Sequence, residues 1–172
     1  MPNFQGCRHN AGEYPIIVWK MKLSDQDKAI LREIQRDADQ SLAALSERLG
    51  MAQSTLWRRM NEMTNAGVIL AKVALLDPAK VDAGLCVLAQ ITLEDHSEDT
   101  VDGFSRMVGL RPEILECHKI SGVADYMLKV RVSDVAAYEY FQTRHLLRSP
   151  WVRSVQSSFV LKDVKATTEL PL

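Results

Sequence analysis

The chain has 172 residues, 47% hydrophobic and 25% charged, a globular composition that excludes a disordered or fibrous chain and suits one ordinary domain or two small ones. A formal net charge of −1 gives no bulk basicity, so any affinity for nucleic acid has to come from local charge placement. No apolar run approaches the roughly 20 residues needed to cross a bilayer, which excludes a membrane partner.

Residues 1–22 carry no sustained periodicity and read as an N-terminal extension. The patch YPIIVWK lacks the long apolar core and cleavage site of a secretory signal. Met21 opens the cleaner segment MKLSDQDKAILREI, so either Met21 is the natural start or residues 1–20 are a loosely held extension.

From Ser24 the signals sharpen. Ser24 and Asp27 have capping-box spacing, with Asp in place of the longer Glu or Gln. Ile30, Leu31 and Ile34 then form an apolar stripe, predicting a helix to about Arg36. Ser41 caps a second helix carrying Leu42, Leu45 and Leu49, and Gly50 stands where a left-handed C-terminal residue is often required. A third helix runs from about Gln53 to Asn65 and is ended by Gly67. The segment VILAKVALLDP reads as strand and connector up to Pro78.

The wheel of the third helix puts Leu56, Met60 and Met63 on one face, against the leucines of the preceding helix. Arg58 points almost directly away, beside Ser54 and Asn61 and flanked by Thr55 and Trp57. Arg59 lies nearer the core boundary, its stem along apolar neighbours. Arg can read guanine bidentately, Asn can read adenine, and hydroxyls can take phosphates or base edges. Ser54, Thr55, Trp57, Arg58, Arg59 and Asn61 are therefore the candidate DNA-binding residues. Two helices set across a glycine corner have helix-turn-helix geometry, with VILAKV as a small wing. The plainer reading is a solvated face on an ordinary helical subdomain.

The second half has another rhythm. LCVLAQITL (85–93) reads as a strand, and Val101, Phe104 and Val108 mark a helix. ILECHKI (114–120) and DYMLKVRV (125–132) are strands joined by a short loop. Ser133 or Asp134 caps a helix with Ala137, Tyr138 and Phe141, and VRSVQSSFVLK (152–162) is a last strand. The order β-α-β-β-α-β is ferredoxin-like, with helices on one face of an antiparallel sheet. Cys86 and Leu88 put apolar groups on the other face as well. That favours self-association, the alternative being cover from the chain's own tail or connector. The fold class is thus α+β: a winged helix-turn-helix unit over 23–70, a connector strand over 71–84, a ferredoxin-like unit over 85–162 and a tail over 163–172.

Cysteine usage fits a reducing cytoplasm: Cys7, Cys86 and Cys117 are odd in number and lack CxxC spacing. Cys117 and His118 face opposite ways on a strand and make a poor metal pair, and His96 and His145 have no partners at ligand spacing. Cys86 and Cys117 read as buried reduced thiols. No nucleophile elbow, phosphate loop or paired-carboxylate motif appears, so neither enzyme activity nor a cofactor is expected.

From Leu23 onward the chain resembles the Lrp/AsnC (leucine-responsive, feast/famine) family of bacterial and archaeal transcription regulators. The resemblance rests on LSDQDKAIL, STLWRRMNEMTNAGVI, LLDP, SGVADYMLKV and SSFVLKDVKATTELPL. It implies a DNA-binding winged helix-turn-helix and a ferredoxin-like domain that dimerises and senses an amino acid. It further implies an effector site between subunits around Gly122, Val123, Ala124 and Asp125, with Ser158, Phe159 and Val160 in the region tied to effector response. Loop amides suit an α-carboxylate and Asp125 an α-ammonium. The loop also reads as a tight hairpin, with Asp125 bonded to its backbone. Ala52 departs from the family's usual capping serine, and Asp39 stands where arginine is common.

The expected protein is a cytoplasmic, nucleoid-associated homodimer, prone to larger assemblies, on a near-palindromic double-stranded operator with half-sites about one helical turn apart. Two rivals remain. One is an architectural DNA binder with little effector response, and the other is a ligand-binding enzyme subunit whose N-terminal helices are structural only.

Overall fold

A computed structural model describes residues 21–172. Of the extension read over residues 1–22, residues 1–20 lie outside the described residues. The described chain divides into two compact units, residues 21–74 with Val164–Leu172 and Leu75–Asp163.

The first unit holds three helices, α1 (Asp25–Arg36), α2 (Leu42–Leu49) and α3 (Gln53–Asn65). The capping box at Ser24 forms despite the short Asp: the Ser24 hydroxyl accepts from the Asp27 amide at 3.2 Å, and the Ser24 amide donates to the Asp27 carboxylate at 2.9 Å. Ser41 caps α2 through the Ala44 amide at 3.1 Å. Gly50 ends α2 at φ 60°, ψ 33°, a left-handed turn that a Cβ would strain. Next to it the Met51 amide donates to the Ser46 carbonyl, and the Ser46 hydroxyl donates to that of Met51. The corner lets Ile30, Leu31, Leu45, Leu56 and Met63 meet in one small buried core, ringed by Ile34, Leu49 and Met60.

The connector strand expected over 71–84, and the wing expected from VILAKV, do not form. Residues 70–77 carry no sheet pairing, and between residues 70 and 84 the regular structure is a 3-10 turn, Pro78–Lys80, capped by Asp77. Apolar alternation alone does not make a strand. Its amides and carbonyls need a neighbouring strand, and the described residues supply none.

The second unit is built on β1 (Leu85–Leu93), α4 (Glu98–Gly109), β2 (Ile114–Lys119), β3 (Tyr126–Val132), α5 (Val135–Phe141) and β4 (Val152–Phe159). The sheet order is β2-β3-β1-β4, antiparallel throughout. β3 alternates strictly between buried and half-buried residues. Tyr126, Leu128 and Val130 join Val87, Ala89, Ile91, Phe104, Tyr138 and Phe141 in the core beneath the helices. Gly103 on α4 packs so close to the Trp151 indole that a Cβ there would overlap it. After α5 the chain continues as a wide π turn, Gln142–Leu147, which periodicity did not reveal. β4 stops at Phe159, three residues short of the expected end, though the Val160 amide still reaches the Cys86 carbonyl at 3.0 Å.

The far face of the sheet is mixed. Cys86 is buried and Leu88 borders on exposed, while Lys129 bonds Glu116 at 2.8 Å and His118 approaches Glu116 at 3.2 Å. On the helix side Cys117 lies opposite Leu128, but on β2, an edge of the described sheet, it is exposed rather than buried; desolvation of its thiol still pushes the pKa up to about 11.

Candidate nucleic-acid interface

Helix α3 starts without a side-chain cap: Ala52 offers none, and only its carbonyl engages the helix, accepting from the Leu56 amide at 3.0 Å. Once Leu56 and Met63 are buried, Ser54 and Arg58 point outward. Thr55 is half-buried at the flank. Trp57 is 61% exposed and, with Asn61 and Thr64, borders a shallow cleft of about 330 Å³ shared with Ile34, Gln40 and Leu42. The Arg58 guanidinium pairs with Glu62 one turn on at 2.5 Å, both side chains standing in solvent. In the free protein the outermost cation of α3 is thus held by a neighbouring carboxylate.

Arg59 turns the other way. Its guanidinium donates to Asp27 at 2.9 Å, and that carboxylate is almost wholly buried. Burial works against the charged form of Asp27, but hydrogen bonds from the Ser24 hydroxyl and amide, together with Arg59, outweigh it and lower the pKa. This pairing holds α3 against α1. The signal available in sequence was Asp27 itself, a carboxylate on the buried side of α1.

Elsewhere in this unit Arg48 pairs with Glu33 at 2.8 Å and Arg36 with Glu169 at 3.2 Å. Its cations and carboxylates nearly balance in number. Asp39 is exposed in the turn between α1 and α2, its amide bonded to Asp37.

In the second unit, Gly122 adopts φ 135° and Val123 is fully exposed, while Ala124 is buried. Asp125 closes the loop: its amide donates to the Ile91 carbonyl, its Oδ2 accepts from the Leu93 amide at 2.8 Å and its Oδ1 meets His96 Nε2 at 2.8 Å. The Leu93 amide is the main cause of its lowered pKa, with His96 second. Ser158, Phe159 and Val160 lie elsewhere, opposite Leu88, Val87 and Cys86. The two groups flank opposite ends of β1, roughly 15 Å apart at about 3.3 Å per residue. One chain does not bring them together. Phe159 also turns to the helix side, where its ring stands edge-on to Tyr138 at 5.6 Å.

Comparison with known proteins matches this architecture along its length. A winged helix-turn-helix DNA-binding family covers residues 23–69, and the Lrp/AsnC ligand binding domain covers residues 86–170. The glutamate uptake regulatory protein of Zymomonas mobilis is 35% identical over 151 residues, 88% of this chain and 92% of that protein. The chain belongs to the Lrp/AsnC family. The leucine-responsive regulatory protein of Escherichia coli is 37% identical over 144 residues, 84% of this chain and 88% of that one. A Neisseria meningitidis transcriptional regulator, solved as an L-Met complex, superposes with a TM-score of 0.84 at 34% identity, covering 87% of this chain and 96% of that one. The expected α+β pairing of a helix-turn-helix unit with a ferredoxin-like unit holds, the connector strand apart, and so does the expectation of a DNA-binding transcriptional regulator. This Lrp/AsnC protein therefore pairs a helix-turn-helix reader with a ligand-binding unit, and no helix among its described residues is long and apolar enough to cross a membrane.

Proposed function

We propose that this regulator binds a near-palindromic operator as a homodimer, with Ser54, Thr55, Trp57, Arg58 and Asn61 offered to the major groove. Arg59 acts behind that surface by fixing the helix. The observation that carries the reading is the outward stripe of Ser54 and Arg58, opposite the buried Leu56 and Met63. The balanced charge of the unit favours specific reading over coating, because an architectural binder draws on a broad basic surface. Residence in the cytoplasm with the nucleoid follows from this activity, and the family's membership of transcriptional regulators argues against catalysis.

Two features support self-association. Leu70, Val73, Leu75 and Leu76 stand largely exposed along a segment without sheet partners, an apolar strip suited to a second copy. The Gly122–Asp125 loop and the Ser158–Val160 segment, separated along β1, become neighbours only if a second subunit juxtaposes them. The effector is a free amino acid, its α-ammonium at Asp125 Oδ1 in place of His96 and its α-carboxylate on loop amides. The L-Met in the Neisseria relative is consistent with that chemistry. By linkage, the effector shifts DNA affinity only as far as it prefers one assembly over another.

The test is calorimetric titration of the purified protein with each common amino acid, alongside operator binding at several salt concentrations. Saturable binding of one amino acid, with a matching shift in operator affinity, is expected. DNA binding that ignores every amino acid would leave the architectural alternative standing.

A further inference from the structure

The outer face of α1, away from the small core and from α3, is not bare. Arg32 Nε and Nη2 both donate to the Leu172 carbonyl oxygen, at 3.0 and 2.9 Å. Gln35 meets the backbone of Leu170 twice: its Oε1 accepts from the Leu170 amide at 2.7 Å, and its Nε2 donates to the Leu170 carbonyl at 3.4 Å. Arg36 pairs with the Glu169 carboxylate. One turn of helix thus reads an extended peptide through its backbone, in the reciprocal way a neighbouring strand would, and matches its charge. Closer to β4 the same segment is held more loosely: Leu161 and Val164 are almost fully exposed, and Asp163 reaches Arg131 only at 3.9 Å. Docking is therefore local to the last residues and is no general collapse of the tail.

We propose that the outer face of α1 is a peptide-docking surface and that its occupant is Glu169–Leu172 of the same chain. Docked there, the segment that leaves β4 is tied to the helix whose other end holds Arg59 through Asp27. The regulator then has a second covalent lead into its DNA-binding unit, besides residues 70–84. Two arginines facing a glutamate and a carbonyl, with a side-chain amide between them, select an extended acidic segment. A helix or an apolar plug would leave those donors unpaired.

Hydrogen exchange at the Leu170 amide tests the docking. In the full chain that amide should exchange about tenfold or more slowly than in the double variant Arg32→Ala/Gln35→Ala, since its bond is lost only when the segment lifts. Equal rates would overturn the proposal. A chain ended at Lys165 should bind a synthetic peptide of residues 166–172, and the full chain should bind it about tenfold or more weakly, because its own segment competes at high effective concentration. Equal affinity for the two chains would overturn it as well. Assemblies mixed from the double variant and the chain ended at Lys165 identify the occupant. A segment held within its own chain leaves Leu170 unprotected in the mixture, whereas restored protection would mean that a second copy supplies it and would reject the same-chain assignment.

Discussion

Arg59 and Asp27 meet at 2.9 Å across the seam between the recognition helix and the first turn of α1. The pair joins the Ser24 cap to α3, so one carboxylate serves a helix start and a helix–helix contact together. Removing either partner leaves a mostly buried group alone, which costs far more than the pair contributes when intact. Arg59→Ala should lower unfolding free energy by about 2–4 kcal/mol in urea titration. Weakened operator binding should follow only in proportion to lost folding. Asp27 has a depressed folded-state pKa, so its contribution is present above the ordinary carboxylate value and disappears as pH falls through the folded one. In Arg59→Ala that acid loss of stability should shrink, because part of the depression comes from the guanidinium.

Arg58 and Glu62 invite a separate test, because both are exposed and neither supports the core. Such an i,i+4 pair is worth only about 0.3–0.5 kcal/mol to the helix. With Arg58 in the groove as proposed, its larger effect is on recognition, since Glu62 would compete with DNA for the guanidinium and repel phosphate. Arg58→Ala should cost about 1–3 kcal/mol of operator affinity with little change in stability. Glu62→Gln should act oppositely, tightening binding several-fold at low salt. Fluorescence anisotropy across a salt series measures both, and looser binding by Glu62→Gln would count against Arg58 as a groove contact.

Local grammar made most of the architecture readable beforehand. Ser24, Ser41 and Gly50 mark helix ends by their own chemistry, and the alternation from Tyr126 to Val132 fixes which face of β3 is buried. What escaped depends on partners distant in sequence. Arg59 looked like one of two adjacent cations until Asp27, 32 residues earlier, claimed it. The apolar alternation after Gly67 read as a strand, yet no strand lies beside it among the described residues. The β1–β4 register, which periodicity cannot supply, separates Ser158–Val160 from Gly122–Asp125. The grip of Gln35 on Leu170 spans 135 residues and leaves no local trace.

Ala52 marks a place where the sequence falls short of its own fold. The residue has the extended conformation of an N-cap, at φ −63° and ψ 138°, but no side-chain acceptor for the free amides of α3. Ala52→Ser should therefore stabilise the protein by about 1 kcal/mol, read from the urea midpoint at unchanged slope. Exposure at this position leaves room for the hydroxyl, so no packing penalty offsets the gain. Tighter operator binding is expected only where a firmer first turn places Ser54 and Arg58 better. A variant no more stable than the parent would mean that water or a neighbouring group already satisfies those amides.

Asp125 has two possible occupations, one structural and one for ligand, and its two oxygens allow them to be separated. Oδ2 holds the Leu93 amide at the end of β1, while Oδ1 faces the mostly exposed His96. Asp125→Ala removes both contacts and should cost about 1 kcal/mol or more of stability, because the Leu93 amide loses its acceptor. Lost effector binding in that variant would therefore be ambiguous. Asp125→Asn keeps a carbonyl oxygen for the Leu93 amide but removes the charge that an α-ammonium requires. Near-parental stability with effector affinity reduced about tenfold or more is the expected pattern, since a charge-assisted bond is worth roughly twice a neutral one. His96→Ala should raise effector affinity, because the ammonium no longer displaces the imidazole from Oδ1. If the asparagine variant bound the amino acid as tightly as the parent, Asp125 would be only a loop clasp and the ammonium site would lie elsewhere.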